Sequence, residues 1–309
     1  YDLTPHLKFG GENVVAVRVD NSDQPNSRWY SGCGIYRHVW LVKTEKIHVA
    51  HWGTHVVAEG KKVNVSVVVD NMTGTEEKIV VRNKVVDAEG KTVAEAAKTV
   101  TLPSASPMLL VYPPKPADKS RSTYHTTLTV KRPQLWSCER PYTYKVVTTI
   151  ELKGKVMDAY ETVTGFRTFS FDAAKGFSLN GKQMKINGVC LHHDLGCLGA
   201  AINEDALHRQ LRILKEMGAN AVRCSHNPPA PERLAMRDTM GLIVLDESLD
   251  MWRRRKTQND YARFFDEWAE RDLTDLVLRD RNHPSILMWS IGNEVLEQWS
   301  SADADNLTA

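Results

Sequence analysis

The sequence predicts a multidomain chain in which an immunoglobulin-like β-sandwich is followed by part of a (β/α)8 barrel, the TIM-barrel architecture. Up to about Gly165, short runs of alternating or β-branched residues are separated by turn residues, without a helical period of useful length. Short strands at such spacing are typical of β-sandwiches. After Gly165, strand-like runs alternate with helical patterns, which indicates parallel strands joined by right-handed crossovers.

Several segments of the first half have the pattern of β-strands. They are residues 13–21, 62–71, 77–90 and 142–154, with turn residues Asn71, Gly74, Gly90 and Gly154 after or between them. The Pro-rich stretch 103–116 predicts an edge or a loop, because proline cannot donate to the hydrogen bonds of a sheet.

Domain boundaries are predicted near residues 44 and 165. Residues 45–165 have the right size for one immunoglobulin-like sandwich. Residues 1–44 hold only two or three strands, which are too few to bury a core alone. We therefore expect this first segment to be the end of a domain that begins earlier, and residues 166–309 to form the α/β part.

The second half predicts four strands and three helices. The strands are residues 184–193, 220–226, 242–248 and 285–294, and the helices are residues 203–218, 230–241 and 260–280. Asn203 and Gly218 suit the ends of the first helix. The inward faces are predicted to carry Leu207, Leu211 and Leu214 on the first helix, and Phe265, Trp268, Leu273, Leu276 and Val277 on the third. Residues 286–289 are predicted to form a fully buried strand.

Polar residues follow each predicted strand of the second half. They are His192, His193 and Asp194, then Arg223, Ser225, His226 and Asn227, then Asp246 and Glu247, and finally Asn293 and Glu294. In a (β/α)8 barrel the carboxyl ends of the strands line one face, where active sites lie. A doubly wound sheet would also gather polar groups there, but usually with a Gly-rich phosphate loop, and the sequence has none. Four strands make half of a barrel.

Composition excludes several classes of function. The formal net charge is only +2, which gives no electrostatic case for nucleic acid or an acidic membrane surface as partner. The basic run 253–256 is short and predicts a solvated loop. No apolar run is long enough to span a bilayer. The five cysteines are scattered without a CxxC pair, which argues against a disulfide framework and a zinc site.

Three stretches resemble a known family. "NAVRCSHNPPAPERLAMRDTMGLIVLDE" (220–247) and "DRNHPSILMWSIGNE" (280–294) are similar to the two most characteristic stretches of glycoside hydrolase family 2. "NSRWYSGCGIYRHVWL" (26–41) resembles the end of that family's sugar-binding jelly roll, which implies that residues 1–44 are a jelly-roll remnant. The stretch 26–41, together with "DESLDMW" (246–252), looks most like the corresponding stretches of the β-galactosidase branch.

The resemblance implies that Glu294 is the catalytic acid/base and that Asn293 contacts the sugar's 2-hydroxyl. Retaining glycosidases use two carboxyl groups roughly 5 Å apart, one of which protonates the leaving oxygen. We expect burial beside Trp289 to raise the pKa of Glu294, as suits a general acid. The alternative is that Asn293 and Glu294 form a polar strand end without a role.

The resemblance also implies substrate contacts for Asp194, His226, Arg223 and Trp29. Asp194 would bind sugar hydroxyls, although a capping or loop role is the alternative, and His226 would contact the sugar or the transition state. Arg223 would hold carboxylates in place inside the barrel, and a purely structural role is equally open. Trp29, with Arg28, would wall the subsite, or Trp29 would belong to a sandwich core. Asp246 and Glu247 would orient other groups or be structural.

The sequence departs from the family at two points. Some relatives bind magnesium through a Glu-x-His after the third strand, but Met251 and Arg253 stand there, so we expect no metal and no cofactor. The family's nucleophile, a second Glu near the seventh strand, has no candidate after Glu294, since Glu297 lies in the following turn or helix. We expect this chain to be part of a longer enzyme and inactive alone.

Three functions remain open. The first is a retaining β-glycosidase acting on glycosides or oligosaccharides, with β-galactosides foremost. The second is a β-glucuronidase or β-mannosidase of the same family, and the third is a non-catalytic carbohydrate-binding module. Homo-oligomers are left open, and periplasmic or secreted placement would fit a polysaccharide-degrading relative.

Overall fold

The structure, a computed structural model, describes residues 2–104 and 121–299. Its first domain is a sandwich of seven antiparallel strands in two sheets, ordered β1-β2-β5 and β4-β3-β6-β7. The strands are β1 Ile47–Glu59, β2 Lys62–Asn71, β3 Glu77–Val86, β4 Thr92–Leu102, β5 Arg121–Thr129, β6 Tyr144–Leu152 and β7 Lys155–Thr164. The predicted edge or loop at 103–116 lies, from residue 105 onward, outside the described residues. The immunoglobulin-like sandwich is confirmed.

Alternating side chains build the core of this sandwich. On β2, Val63, Val65, Val67 and Val69 are each at most 1% exposed, while Lys62, Asn64, Ser66 and Val68, which alternate with them, are more exposed. Burying one such side chain contributes about 1.5–3 kcal/mol. Ile79, Val81, Val85, Val146 and Ile150 of the facing sheet complete the core.

The strand predicted at residues 13–21 is wrong. In the described part of residues 1–44 there is only a 3-10 helix at Thr4–His6, and Val14, Val15 and Val17 are more than 60% exposed. A β-strand is stabilised by hydrogen bonds to a neighbouring strand, and no described strand runs beside this segment. Later in the segment, Arg37 Nη2 donates to Pro228 O (2.9 Å) and Ile202 N donates to Tyr36 O (3.2 Å). These bonds hold Tyr36 and Arg37 against the second domain.

The second domain contains four parallel strands in the order β11-β12-β13-β14. They are β11 Gly188–Leu191, β12 Ala221–Cys224, β13 Ile243–Glu247 and β14 Ile286–Ser290, preceded by a small antiparallel sheet of β8 Phe169–Asp172, β9 Gly176–Leu179 and β10 Lys182–Gln183. Helices α1 Glu204–Glu216, α2 Pro231–Met240 and α3 Phe265–Asp280 connect the parallel strands. This is the predicted partial (β/α)8 barrel, and the fold class is confirmed.

The helices follow their sequence signals with one exception. The side chain of Asn203 accepts a hydrogen bond from Ala206 N (2.9 Å) and caps α1, whose Leu207 and Leu211 are buried. On α3, however, Trp268 is 36% exposed, so its predicted inward position is wrong. Its ring lies against the Arg271 guanidinium at the surface, 4.9 Å away. None of the described helices is long and apolar enough to cross a membrane.

The predicted full burial of residues 286–289 is also wrong. Ile286 is buried, but Met288 is 47% exposed and Trp289 is 36% exposed. The reason is that β14 is the edge of the sheet, because β13 pairs with it on one side and no described strand covers the other. The apolar run was correctly assigned to a strand, but its neighbours decide its burial.

Specific hydrogen bonds join the two domains. Trp136, which is 1% exposed, donates its indole N–H to Asp238 O (2.7 Å). Asn282, just before β14, accepts from Val56 N (2.8 Å) and donates to Thr54 O (3.0 Å). These contacts fix the sandwich against the end of the sheet where β14 begins.

Candidate active site

The carboxyl ends of the four parallel strands bring polar side chains together. The register places Glu247 at the end of β13 beside Ser290 at the end of β14. His192 and Asp194 follow β11, His226 follows β12, and Asn293 and Glu294 follow β14. Because the strands are parallel, all of these groups lie at the same end of the sheet, where the carboxyl ends of the strands meet.

Glu247 lies at the centre of this end of the sheet. Its carboxylate is fully buried and accepts four hydrogen bonds. Arg223 donates Nε (3.0 Å) and Nη2 (2.7 Å), Ser290 donates Oγ (2.7 Å), and His226 contributes Nδ1 (2.6 Å). A buried carboxylate with this many charged and polar partners organises its neighbours. Of the two roles that the sequence left open for Glu247, this network favours the orienting one.

Arg223 links Glu247 to Asn293. Its Nη2 also donates to Asn293 Oδ1 (2.7 Å), and Asn293 Nδ2 donates in turn to Asp250 Oδ1 (2.8 Å). Arg223 therefore contacts a carboxylate, as expected, and that carboxylate is Glu247. The Asn293 side chain is only 6% exposed, and both ends of its amide have partners. Its contact with a sugar stays a prediction.

Glu294 stands at the mouth of the site and is more exposed than predicted. Its side chain is 60% exposed, and its Oε2 accepts a hydrogen bond from Arg28 Nη2 (2.8 Å). This bond, the charge of Arg28 and, less strongly, that of Lys256 at 3.9 Å lower the pKa of Glu294 below its ordinary value. The predicted raised pKa is wrong for this state, because cations adjoin the carboxylate and Trp289 does not bury it.

Lys256 corrects the interpretation of the basic run 253–256. Its side chain is 5% exposed, and its Nζ donates to Asp250 O (2.7 Å), Asp250 Oδ1 (3.0 Å) and Asn293 O (2.5 Å). Arg253 fits the solvated loop, since it pairs with Asp266 at an exposed position (2.6 Å). The burial of Lys256 could not be predicted from the sequence, because one buried charge in a run of four basic residues produces no periodic pattern.

Aromatic rings wall the site on the side of β11 and β12. The Trp29 ring lies 5.2 Å from that of His192 and 5.3 Å from that of His226. The ring of His193 instead stacks on that of Tyr36, with the ring centroids 5.9 Å apart. Trp29 therefore contacts the second domain, and no sandwich core surrounds it among the described residues. Burial, and then the charge of His226, lower the pKa of His192.

Asp194 lies half-buried after β11. Its negative charge acts to raise the pKa values of His192 and His193, against the larger effect of their burial. It thus lies near the aromatic wall. Its binding of sugar hydroxyls stays a prediction.

A cavity of about 340 Å³ adjoins the site. Trp29, His226 and Asp250 contribute to its lining, together with Trp52 of the sandwich and Tyr261 before α3. At the positions compared with magnesium ligands, Met251 is buried and Arg253 binds Asp266. Among residues 2–104 and 121–299, no three His, Cys, Asp or Glu side chains are grouped so as to hold a metal ion.

Two stretches of the chain match one family. Residues 173–308 match the description "Glycosyl hydrolases family 2, TIM barrel domain", and residues 46–167 match "Glycosyl hydrolases family 2". Together they cover the sandwich and the parallel-stranded domain.

Individual relatives agree with this match. The beta-galactosidase BoGH2A of Bacteroides ovatus is 56% identical over 100% of this chain and 35% of its own length. A putative beta-glucuronidase of Formosa agariphila is 36% identical over 95% of this chain and 27% of its own. A solved family 2 structure from Bacteroides cellulosilyticus superposes with a TM-score of 0.88 at 40% identity, over 99% of this chain and 40% of that one.

The chain belongs to the glycosyl hydrolases. Within them it belongs to family 2, as the resemblance implied, and it is similar to the β-galactosidases of that family. It spans about a third of the length of the curated relatives it matches.

Proposed function

We propose that this chain carries the proton-donor part of a retaining β-glycosidase, with Glu294 as acid/base and β-galactosides as substrates. The observation that carries the proposal is the position of Glu294. Its carboxylate is open to solvent at the carboxyl ends of the parallel strands, beside a buried Asn293 whose amide is held by Arg223 and Asp250. Active sites of (β/α)8 barrels lie at this edge.

In the proposed reaction, protonated Glu294 gives its proton to the glycosidic oxygen as the bond from that oxygen to the anomeric carbon breaks. The carboxylate nucleophile bonds to the anomeric carbon as the leaving group departs as a neutral alcohol. Water then attacks the same carbon and breaks its bond to the nucleophile, while Glu294, now a carboxylate, takes a proton from that water. Arg28 and Lys256 stabilise this carboxylate form.

The nucleophile in this proposal is a second carboxylate outside the described residues. Glu247 is unsuited to attack, because it is fully buried and both oxygens accept hydrogen bonds from Arg223, His226 and Ser290. Asp250 is 4% exposed and bound to Lys256 and Asn293. Both carboxylates instead hold the groups around Glu294.

The comparisons favour a galactoside over a glucuronide in this proposal. The chain is 56% identical to a β-galactosidase and 36% identical to a putative β-glucuronidase.

The test is a panel of 4-nitrophenyl β-glycosides with the full-length protein that contains this chain. We expect the galactoside to have the highest kcat/KM, and Glu294→Gln to lower it by about 100-fold or more. Glu270→Gln, at an exposed position on α3, is the matched control and should act as wild type. Sugar binding without turnover by the wild type would instead support a carbohydrate-binding module.

A further inference from the structure

We infer that Lys256, held by Asp250, is a positioning residue that sets the backbone conformation from which Glu294 presents its carboxylate. The inference rests on the proposed function of Glu294. Lys256 is the one member of the basic run 253–256 whose side chain is almost fully buried, at 5% exposed. A buried ammonium needs acceptors for its protons, and this one has three: Asp250 O, Asp250 Oδ1 and Asn293 O.

The contact with Asn293 O acts directly on Glu294. That carbonyl belongs to the peptide group between residues 293 and 294, and rotation of this group changes the φ angle of Glu294. Glu294 has φ of 45°, in the left-handed region that few residues other than glycine adopt. A charge-assisted hydrogen bond of 2.5 Å to the carbonyl stabilises this conformation.

Asp250 fixes both Lys256 and the side chain of Asn293. Its Oδ1 accepts from Lys256 Nζ (3.0 Å) and from Asn293 Nδ2 (2.8 Å). Asp250 thus holds the side-chain amide of Asn293, together with Arg223, and Lys256 holds its backbone carbonyl. The backbone at Lys256 is fixed in turn, since Lys256 N donates to the buried Asp260 carboxylate (2.6 Å).

Geometry separates this role from a purely electrostatic one. Lys256 Nζ is 3.9 Å from Glu294 Oε2, beyond hydrogen-bond distance, whereas Arg28 contacts the same oxygen at 2.8 Å. Arg28, in the segment before the sandwich, contacts the carboxylate of Glu294, whereas Lys256 contacts the peptide group between residues 293 and 294. Loss of Lys256 should therefore misplace the proton donor.

The experiment compares two β-galactosides in the full-length protein. A 4-nitrophenol leaving group benefits from protonation, whereas 2,4-dinitrophenol departs with little help, so the ratio of their kcat/KM values reports proton donation. We expect Lys256→Met to lower kcat/KM by about 30-fold for the first substrate and by less than about 3-fold for the second. Asp250→Asn should show the same selective loss. Arg255→Met, an exposed charge of the same run, should match wild type.

Each outcome decides between roles. An equal loss for both substrates, or no loss, would overturn the inference. Failure of both Lys256→Met and Asp250→Asn to fold, judged by circular dichroism, would also overturn it, since the pair would then serve overall stability. Glu294→Gln measured alongside keeps the two proposals apart. If Glu294→Gln lowers kcat/KM selectively for the 4-nitrophenyl substrate and Lys256→Met does not, only the positioning role of Lys256 is contradicted.

Discussion

The guanidinium of Arg28 lies 2.8 Å from the carboxylate of Glu294, although 266 positions separate the two residues in the sequence. Arg28 also reaches Asp250 Oδ1 at 3.3 Å. The segment that precedes the sandwich therefore contributes a charge to the edge of the barrel sheet, and that charge acts on the proposed proton donor.

Arg28→Met is expected to raise the pKa of Glu294. Arg28 lowers this pKa by its hydrogen bond and its charge, while Lys256 lowers it less and Asp250 raises it slightly. In the proposed reaction the acid form of Glu294 donates the proton, so activity should fall as pH rises through its pKa in the free enzyme. The alkaline limb of the profile of kcat/KM against pH should therefore move to higher pH, measured with 4-nitrophenyl β-galactoside in the full-length protein.

Arg18→Met is the control for this shift, because Arg18 is 89% exposed and pairs only with Asp20 among the described residues. Its pH profile should equal that of wild type. A limb that stays in place in Arg28→Met, or moves to lower pH, would contradict the assignment of that limb to Glu294.

Glu247→Gln should destabilise the protein by about 2–4 kcal/mol, since it removes the charge from a buried, fully bonded carboxylate. Arg223 and His226 would lose their charged acceptor while remaining half-buried. The free energy of unfolding in urea measures the effect. The matched control is Glu216→Gln, which breaks an exposed pair with Arg212 and should cost about 0.5 kcal/mol or less. Equal values for the two variants would exclude the organising role of Glu247.

Local patterns were sufficient to predict most of the fold. Alternation at Val63 to Val69 predicted β2, and Asn203 with the Leu207–Leu211 face predicted α1, because each signal acts over a few neighbouring residues. The polar residues after each parallel strand predicted which side chains gather at the carboxyl ends of the strands, where the candidate site lies, because the direction of the strands brings those ends together.

Contacts between distant segments could not be predicted in the same way. The burial of Lys256 depends on Asp250 and the carbonyl of Asn293, and the pKa of Glu294 depends on Arg28. Neither has a periodic signature. The prediction that Trp289 is buried was wrong for a related reason, because its exposure depends on which strands lie beside β14.

Asp246→Asn should stabilise the protein increasingly as pH rises. Asp246 is fully buried, and burial, followed by the charge of Asp280, raises its pKa from 3.8 to about 8. Between these values the folded state holds a proton that the unfolded state has lost. The stability from this proton is complete below about pH 4 and disappears as pH rises to about 8, with a slope of at most about 1.4 kcal/mol per pH unit.

Asparagine carries no titrating group, so the difference in unfolding free energy between Asp246→Asn and wild type should be larger at about pH 8 than at about pH 5. Urea unfolding at the two pH values measures it. Asp205→Asn, at an exposed position of α1, should show little change between them. A difference for Asp246→Asn that is the same at both pH values would mean that Asp246 is already charged in the folded protein at pH 5.

Gly292→Ala is expected to disturb Glu294, the proposed proton donor, from two residues away. A Cβ atom at this position would lie 2.5 Å from Val295 Cγ2 and 2.9 Å from Trp252 Nε1, closer than real Cβ contacts allow. Trp252 and Val295 are both largely buried, and the Trp252 indole donates to Ile291 O (2.8 Å), so neither can move without shifting the chain around Glu294.

Overpacking of this kind costs about 1–3 kcal/mol of stability. A displacement of about 1 Å in a catalytic group can lower activity by about 100-fold. We therefore expect kcat/KM for 4-nitrophenyl β-galactoside to fall far more than thermal stability does. Gly11→Ala is the control, because its Cβ would have ordinary contacts at 3.7 Å. If Gly292→Ala retained the activity of Gly11→Ala, the residues from Ile291 to Val295 would have to tolerate movement, and Glu294 would then need no fixed backbone to act.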